Sequence, residues 1–307
     1  MRFDLLTQLV EYRLPEIFYL LKGNKMTRII GDTTSGLTPE QAKEIGIDYI
    51  PQIVIFGDKS YRDDYEIDPV TFVKMLEASK ELPKTAAPPP SLYTPIFEKL
   101  RENKEDALVL APSVKVSGTY RSAMTAKNDF PDVDIRVIDT GVVGGPVAME
   151  LIEAKKMADQ HRSLDEIENY INLLNKNVRF YAVVDTLEYL YKGGRIGGAS
   201  KLFGDALQIK PILTLKDGQV EAFEKQRTQK KALLRIVDLV QAECPKGGNH
   251  GLISLSLNVN LCQEELSFFR KEFKERFGFE NVPVFNAPPA FMVHAGPKVV
   301  LVSFFTI

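Results

Sequence analysis

Ala107-Leu108-Val109-Leu110-Ala111-Pro112-Ser113-Val114-Lys115-Val116-Ser117-Gly118-Thr119-Tyr120-Arg121-Ser122-Ala123 decides the architecture. Its first five residues are apolar without alternation, as a strand buried on both faces must be. Residues 113–118 form a loop, and a helix opens at Thr119 and runs to about residue 128. Strand, loop and helix in that order are the unit of a parallel sheet. In such sheets ligands gather at the carboxyl ends of strands. A helix N-terminus there offers free N–H groups and a positive partial charge. Ser117 either caps this helix or, with Gly118, lets an anion approach the amides closely.

The same alternation extends in both directions. Upstream, residues 27–31 read as a buried strand followed by the turn Asp32-Thr33-Thr34-Ser35-Gly36. Thr38, Pro39 and Gln41 open a helix through a capping box with proline at the first helical position. Residues 49–56 read as one apolar strand, and Asp68-Pro69 starts a helix to about Ser79. Residues 82–90, which end in Pro88-Pro89-Pro90, read as a stiff extended loop that holds Thr85 either as a turn residue or as a ligand. A helix follows at 94–103.

Downstream, a strand at 134–139 leads through Gly144-Gly145-Pro146 into a helix reaching about Gln160. Ser163 and Glu166 form a second capping box for a helix over 164–175. Strands then dominate, which places a domain boundary near Asn177. A strand at 180–184, a short helix at 187–192 and the glycine-rich turn Lys192-Gly193-Gly194-Arg195-Ile196-Gly197-Gly198 precede a hairpin. That hairpin pairs 211–215 with 219–223 around Asp217-Gly218. Helices at 230–242 and 264–277 and strands at 251–257, 281–285 and 299–305 complete the chain. The expected fold is α/β in two domains, a parallel-sheet α/β domain over 26–177 and an α+β domain over 178–307. Residues 1–25 carry an amphipathic leucine pattern broken by Pro15 and read as an extension outside the main fold.

Composition narrows the function classes. The chain has 307 residues, 44% hydrophobic and 26% charged, enough for a sizeable core. A net charge of -2 argues against a nucleic-acid binder. No apolar run is long enough to span a membrane, so stable insertion is not expected. Two cysteines, Cys244 and Cys262, make neither a metal site nor a disulfide framework, and a reduced cytoplasmic protein is the expectation. The histidines are His161, His250 and His294, none spaced as a metal ligand. His161 and His250 read as surface residues. His294, between an apolar run and Ala295-Gly296-Pro297, reads either as structural or as functional. There is no Walker-type phosphate loop, dinucleotide fingerprint or nucleophile elbow.

Several of these stretches occur in a particular order: Asp32-Thr33-Thr34, Thr85 before its prolines, Ser117-Gly118-Thr119-Tyr120 with Ser122-Ala123, Lys192-Gly193-Gly194-Arg195-Ile196, Lys225-Gln226-Arg227-Thr228 and His294-Ala295-Gly296-Pro297. In this the chain resembles the DegV family of bacterial fatty-acid-binding proteins from about Met26 to Phe305. The resemblance implies a two-domain DegV-like fold holding one long-chain fatty acid, such as palmitate, stearate or oleate, in an apolar tunnel. It implies no cofactor and no catalytic residue. It places the carboxylate on Thr85, Ser117 and Gly118, and Arg195, Arg227 and His294 beside the head group. It also implies a partner for some members, a fatty acid kinase that forms an acyl phosphate. Guanidinium groups match a phosphate better than a carboxylate already served by hydroxyls, which assigns those cationic residues to phosphate transfer. The loop departs from the common family pattern, with Ala86-Ala87 in place of a serine and a glutamine. The competing reading is a small-molecule phosphotransferase or hydrolase using Asp32, Ser117 and His294.

Overall fold

The computed structural model describes residues 25–203, 209–246 and 250–307. Apart from Lys25, the N-terminal extension lies outside the described residues. The chain runs β1 (Thr27–Asp32), α1 (Pro39–Ile45), β2 (Asp48–Ile50), β3 (Ile53–Phe56), β4 (Lys59–Arg62), α2 (Pro69–Ala78), β5 (Lys84–Ala86), α3 (Thr94–Asn103), β6 (Asp106–Ala111), α4 (Thr119–Lys127), β7 (Ile135–Asp139), α5 (Gly145–Asp159) and α6 (Leu164–Lys176). It continues β8 (Val178–Val183), α7 (Glu188–Lys192), β9 (Lys210–Lys216), β10 (Gln219–Gln226), α8 (Gln229–Glu243), β11 (Ser254–Leu257), α9 (Gln263–Phe277), β12 (Val284–Asn286), α10 (Pro289–Ala295) and β13 (Val300–Phe305).

The first sheet is parallel, in the order β2-β1-β6-β7. From β1 the chain moves to one side, into β2, and β6 and β7 lie on the other. The crevice between the carboxyl ends of β1 and β6 is therefore a topological switch point. It brings Asp32-Thr33-Thr34 beside the loop that ends in Ser117. The capping boxes at Thr38 and Ser163 are both formed, which fixes where α1 and α6 start.

All six strands of the second sheet come from after residue 177, in the order β10-β9-β8-β13-β11-β12. Only β11 and β12 pair in parallel, so this sheet is mixed. Alternation gives it two faces. Tyr181, Val183, Ile212, Val300 and Val302 join the core under α8 and α9. Phe180, Ala182 and Leu213 point to the opposite side. The hairpin has positive φ at Asp217 (49°) and Gly218 (76°), the signature of a type I′ turn. A Cβ at Gly218 would lie 2.4 Å from Ser113 Oγ, which donates to the Gly218 carbonyl at 2.8 Å. The hairpin tip is thus fastened to the loop carrying Ser117.

Two expectations are corrected, and a stretch with no expected element is a helix. Residues 49–56 are two strands in different sheets, because Pro51-Gln52 turns the chain out of the parallel sheet. β3 then pairs antiparallel with β4 and β5. Part of the extended loop at 82–90 is a strand: Lys84–Ala86 lies along β3, with Thr85 opposite Val54. The prolines fall just beyond the paired residues, where no N–H is needed. The apolar run before His294 is the helix α10, too short and too uniformly apolar to show a helical period.

Candidate functional site

A cavity of about 880 Å³, its open mouth included, lies against the free face of the second sheet. Alternate residues build its apolar wall: Phe180, Ala182 and Val184 from β8 and its end, Leu213 and Leu215 from β9, and Val220 from β10. Helix α10 adds Ala290, Phe291 and Ala295. The polar lining is contributed by Thr34, Gln52, Thr85, Ser117, Arg195 and His294. The pairing of apolar walls with a few polar groups is that of a small-ligand site.

Thr85 and His294 meet there: Thr85 Oγ1 and His294 Nε2 are 2.7 Å apart. Nδ1 of the same ring is buried without a hydrogen-bond partner. An orphaned N–H is rarer in folded proteins than an orphaned acceptor, so we assign the ring proton to Nε2. His294 then donates to Thr85, whose own O–H is left to donate onward. Burial, with the positive charge of Arg195 added, pushes His294 down to about 4, so the imidazole is neutral near pH 7. Gly193 makes room for the ring: a Cβ there would stand 2.4 Å from Nδ1.

Ser117 behaves partly as a cap. Its Oγ accepts the Thr119 N–H at 3.2 Å and lies 2.9 Å from Thr119 Oγ1. Gly118 lets the Thr85 loop come close, since a Cβ on it would sit 3.1 Å from Ala87 Cβ. Arg195 is half-buried and donates to the carbonyls of Val116 (3.2 Å) and Gly193 (2.7 Å). It clamps the Ser117 loop to the glycine-rich turn, and no carboxylate among the described residues pairs with it. A second, open depression shares Thr85, Arg195 and His294 and adds the exposed Lys84 and Lys192.

Beneath the polar end lie two buried aspartates. Asp32 accepts from Thr34 N (2.9 Å), from Thr34 Oγ1 and from Gln52 Nε2 (2.7 Å). Asp63 accepts from Thr33 Oγ1 (2.5 Å), Gln52 N (2.8 Å) and Ala290 N (3.3 Å). Burial raises Asp32 to about 6 and Asp63 to about 7, against the lowering effect of these hydrogen bonds.

Thr85, Ser117, Gly118, Arg195 and His294 therefore line one cavity. Arg227 does not: it is exposed between β10 and α8. The set Asp32, Ser117 and His294 forms no relay, because His294 Nε2 is bonded to Thr85 and Asp32 is held by Thr34 and Gln52. Among the described residues, no three His, Cys, Asp or Glu side chains are grouped to hold a metal, and no helix is long and apolar enough to cross a membrane. His250 is half-buried and packs on Phe279 at 4.0 Å between ring centroids, which corrects its reading as a surface residue. Both cysteines are free and buried, their thiols pushed up to about 12 (Cys244) and about 11 (Cys262) by desolvation. Gln52 and Asp63 escaped the sequence reading. The available signal was a glutamine within an otherwise apolar stretch.

The DegV family profile, described as one of uncharacterised proteins, matches residues 26–306. The chain belongs to the DegV family. A DegV domain-containing protein of Halalkalibacterium halodurans is 30% identical over 269 residues, 87% of this chain and 94% of that one. A DegV family protein from Thermus thermophilus, solved in a study of its fatty acid binding, superposes with a TM-score of 0.82 at 27% identity. That match covers 92% of this chain and all of the other. A DegV lipid-binding protein of Thermotoga maritima gives 0.74 at 25% identity, covering 92% and 98%. The two-domain DegV fold and its mixed α/β architecture are thus common to this chain and these relatives.

Proposed function

We propose that this DegV protein binds one long-chain fatty acid, with the acyl chain along the apolar wall and the carboxylate on Thr85, Ser117 and the amides at Gly118. The observation that carries the reading is a cavity with apolar walls and a polar end to which Thr85 and Ser117 bring hydroxyls from different elements. Each buried methylene is worth ~0.8 kcal/mol, so a chain of about sixteen carbons supplies on the order of 10 kcal/mol before the costs of association. Two O–H donors and helix-end amides serve a single negative charge without a buried countercharge. Relatives that bind fatty acid or lipid point the same way. No bond-making step is assigned to this chain.

Denaturing extraction of the purified protein followed by mass spectrometry tests the reading. One equivalent of long-chain acid supports it, and lipid-free protein that fails to take up added acid rejects it. The finer proposal is delivery to a fatty acid kinase. Its support is the cationic depression beside Thr85, where Arg195 keeps N–H donors beyond those given to Val116 and Gly193. Arg195→Ala should retain fatty acid and impair acyl phosphate formation with a kinase. Arg227→Ala, exposed and away from the cavity, separates a role in kinase docking from one at the head group. Equal loss of lipid affinity and phosphorylation in Arg195→Ala, with lower stability, would leave Arg195 as a clamp only.

A further inference from the structure

Gln52 is 3% exposed, lies at the break between β2 and β3, and lines the polar end of the cavity. Its carboxamide nitrogen has two hydrogens and two acceptors: Asp32 Oδ2 at 2.7 Å and Thr119 Oγ1 at 2.8 Å. The opposite orientation would aim an amide oxygen at the Asp32 carboxyl, so Asp32 fixes which way the amide faces. Thr119 Oγ1 is then an acceptor from Gln52. Its own hydrogen has two acceptors within reach, the Asp32 carboxyl, already served by three other donors, and Ser117 Oγ, 2.9 Å away, to which we assign it. Ser117 Oγ also accepts the Thr119 N–H at 3.2 Å. With both lone pairs of Ser117 engaged, its hydrogen is left for the cavity.

We infer that Gln52 is a positioning residue which, through Thr119, makes the Ser117 hydroxyl a donor and so selects a ligand whose head group only accepts hydrogen bonds. The inference rests on the carboxylate placement proposed above and adds the origin of its selectivity. A carboxylate fits a donor-only hydroxyl. A long-chain alcohol of equal length gains the same apolar burial but must present its own hydrogen, for which Ser117 offers no lone pair. Asp32 enters as the anchor that orients Gln52 and does not touch the ligand.

The test compares a saturated sixteen-carbon acid with the alcohol of equal length on the delipidated full chain. Affinities are read by displacement of a fluorescent fatty acid at about pH 8, where the free acid is ionised. Gln52→Leu and the isosteric Thr119→Val are expected to weaken acid binding by roughly tenfold or more, the scale of one hydrogen bond to a charged group. Alcohol binding should be unchanged, so the acid-to-alcohol ratio collapses. Thr119→Ser, which keeps the hydroxyl, should restore the ratio. Gln52→Leu on a Ser117→Ala background should add no further loss. Parallel losses for acid and alcohol, or fully additive losses in the double variant, overturn the inference and make Gln52 merely structural. If Ser117→Ala weakens acid binding and neither Gln52→Leu nor Thr119→Val does, the relay alone is wrong. If Ser117→Ala leaves acid binding intact, the carboxylate placement fails as well. Thr119→Val keeps the test open should Gln52→Leu not fold.

Discussion

Thr85 and His294 are 209 residues apart in sequence and 2.7 Å apart at Oγ1 and Nε2. The hydrogen bond joins an edge strand of the small sheet to the last turn of α10, so the polar end exists only when the two halves of the chain are docked. It also sets the polarity of Thr85, whose acceptor side is taken by the ring.

His294→Ala should therefore weaken fatty-acid binding about as much as Thr85→Val does, by ~1–3 kcal/mol each. The two losses should not add. Because His294 is lowered to about 4, its neutral form persists as pH rises above that value. Wild-type affinity titrated over about pH 5.5–8 should show no step from this imidazole. A step near the ordinary histidine value that disappears in His294→Ala would show that the ring is charged in the site.

Gly193→Ala should disturb the same pair from behind. The new Cβ meets His294 Nδ1 at 2.4 Å and the Tyr189 carbonyl at 2.9 Å, and the second of these cannot swing away. Overpacking of this kind costs about 1–3 kcal/mol. Denaturant unfolding should report that loss, and fatty-acid titration should show weaker binding. Unchanged values in both would mean the turn relaxes freely.

Asp63→Asn should alter how stability depends on pH. Asp63 is raised to about 7 in the folded protein and titrates near 3.9 when unfolded. The folded state thus holds a proton that the unfolded chain releases. The resulting stabilisation is full below the unfolded value and is lost as pH rises through about 7. The difference in urea midpoint, variant minus wild type, should move in the variant's favour as pH rises from about 5 to about 8. His294, lowered rather than raised, gives a slope of opposite sign, but it is present in both proteins and cancels. A constant gap across this range would show that Asp63 does not carry the extra proton.

Ala182→Leu should shorten the preferred ligand. Ala182 faces the cavity from the middle of the sheet, so a larger side chain there displaces acyl methylenes at ~0.8 kcal/mol each. Long acids should lose affinity while shorter acids keep theirs, as competition titrations over a chain-length series would reveal. Equal losses at every length would place the acyl chain elsewhere.

Much of this fold can be read from local signals. The boxes at Thr38 and Ser163, the Asp217-Gly218 turn and the apolar run of β6 each specify their element with few residues. The misses share a cause. β3 and β5 are short, and only pairing, of β3 with β4 and of β5 with β3, makes them strands. α10 is buried on all sides, which erases the helical period. The ordered motifs name Thr85, Ser117, Arg195 and His294, which line one cavity. Arg227 follows the same motif order but is exposed, away from the cavity, because motif order carries no distance. Gln52 and Asp63 act through partners that are distant in sequence, so no local pattern marks them.

The alternation in β8 and β9 has an evolutionary consequence. Phe180 and Ala182 look into the cavity while Tyr181 and Val183 hold α8 and α9, and in β9 Leu213 and Ile212 divide the same way. Neighbouring codons thus answer to different selection pressures. A lineage can change the shape of its cargo space by substituting every second residue, and the helices on the far side keep their footing. A single-residue insertion in either strand would exchange the two roles at once, so such relatives should diverge here by substitution and almost never by insertion.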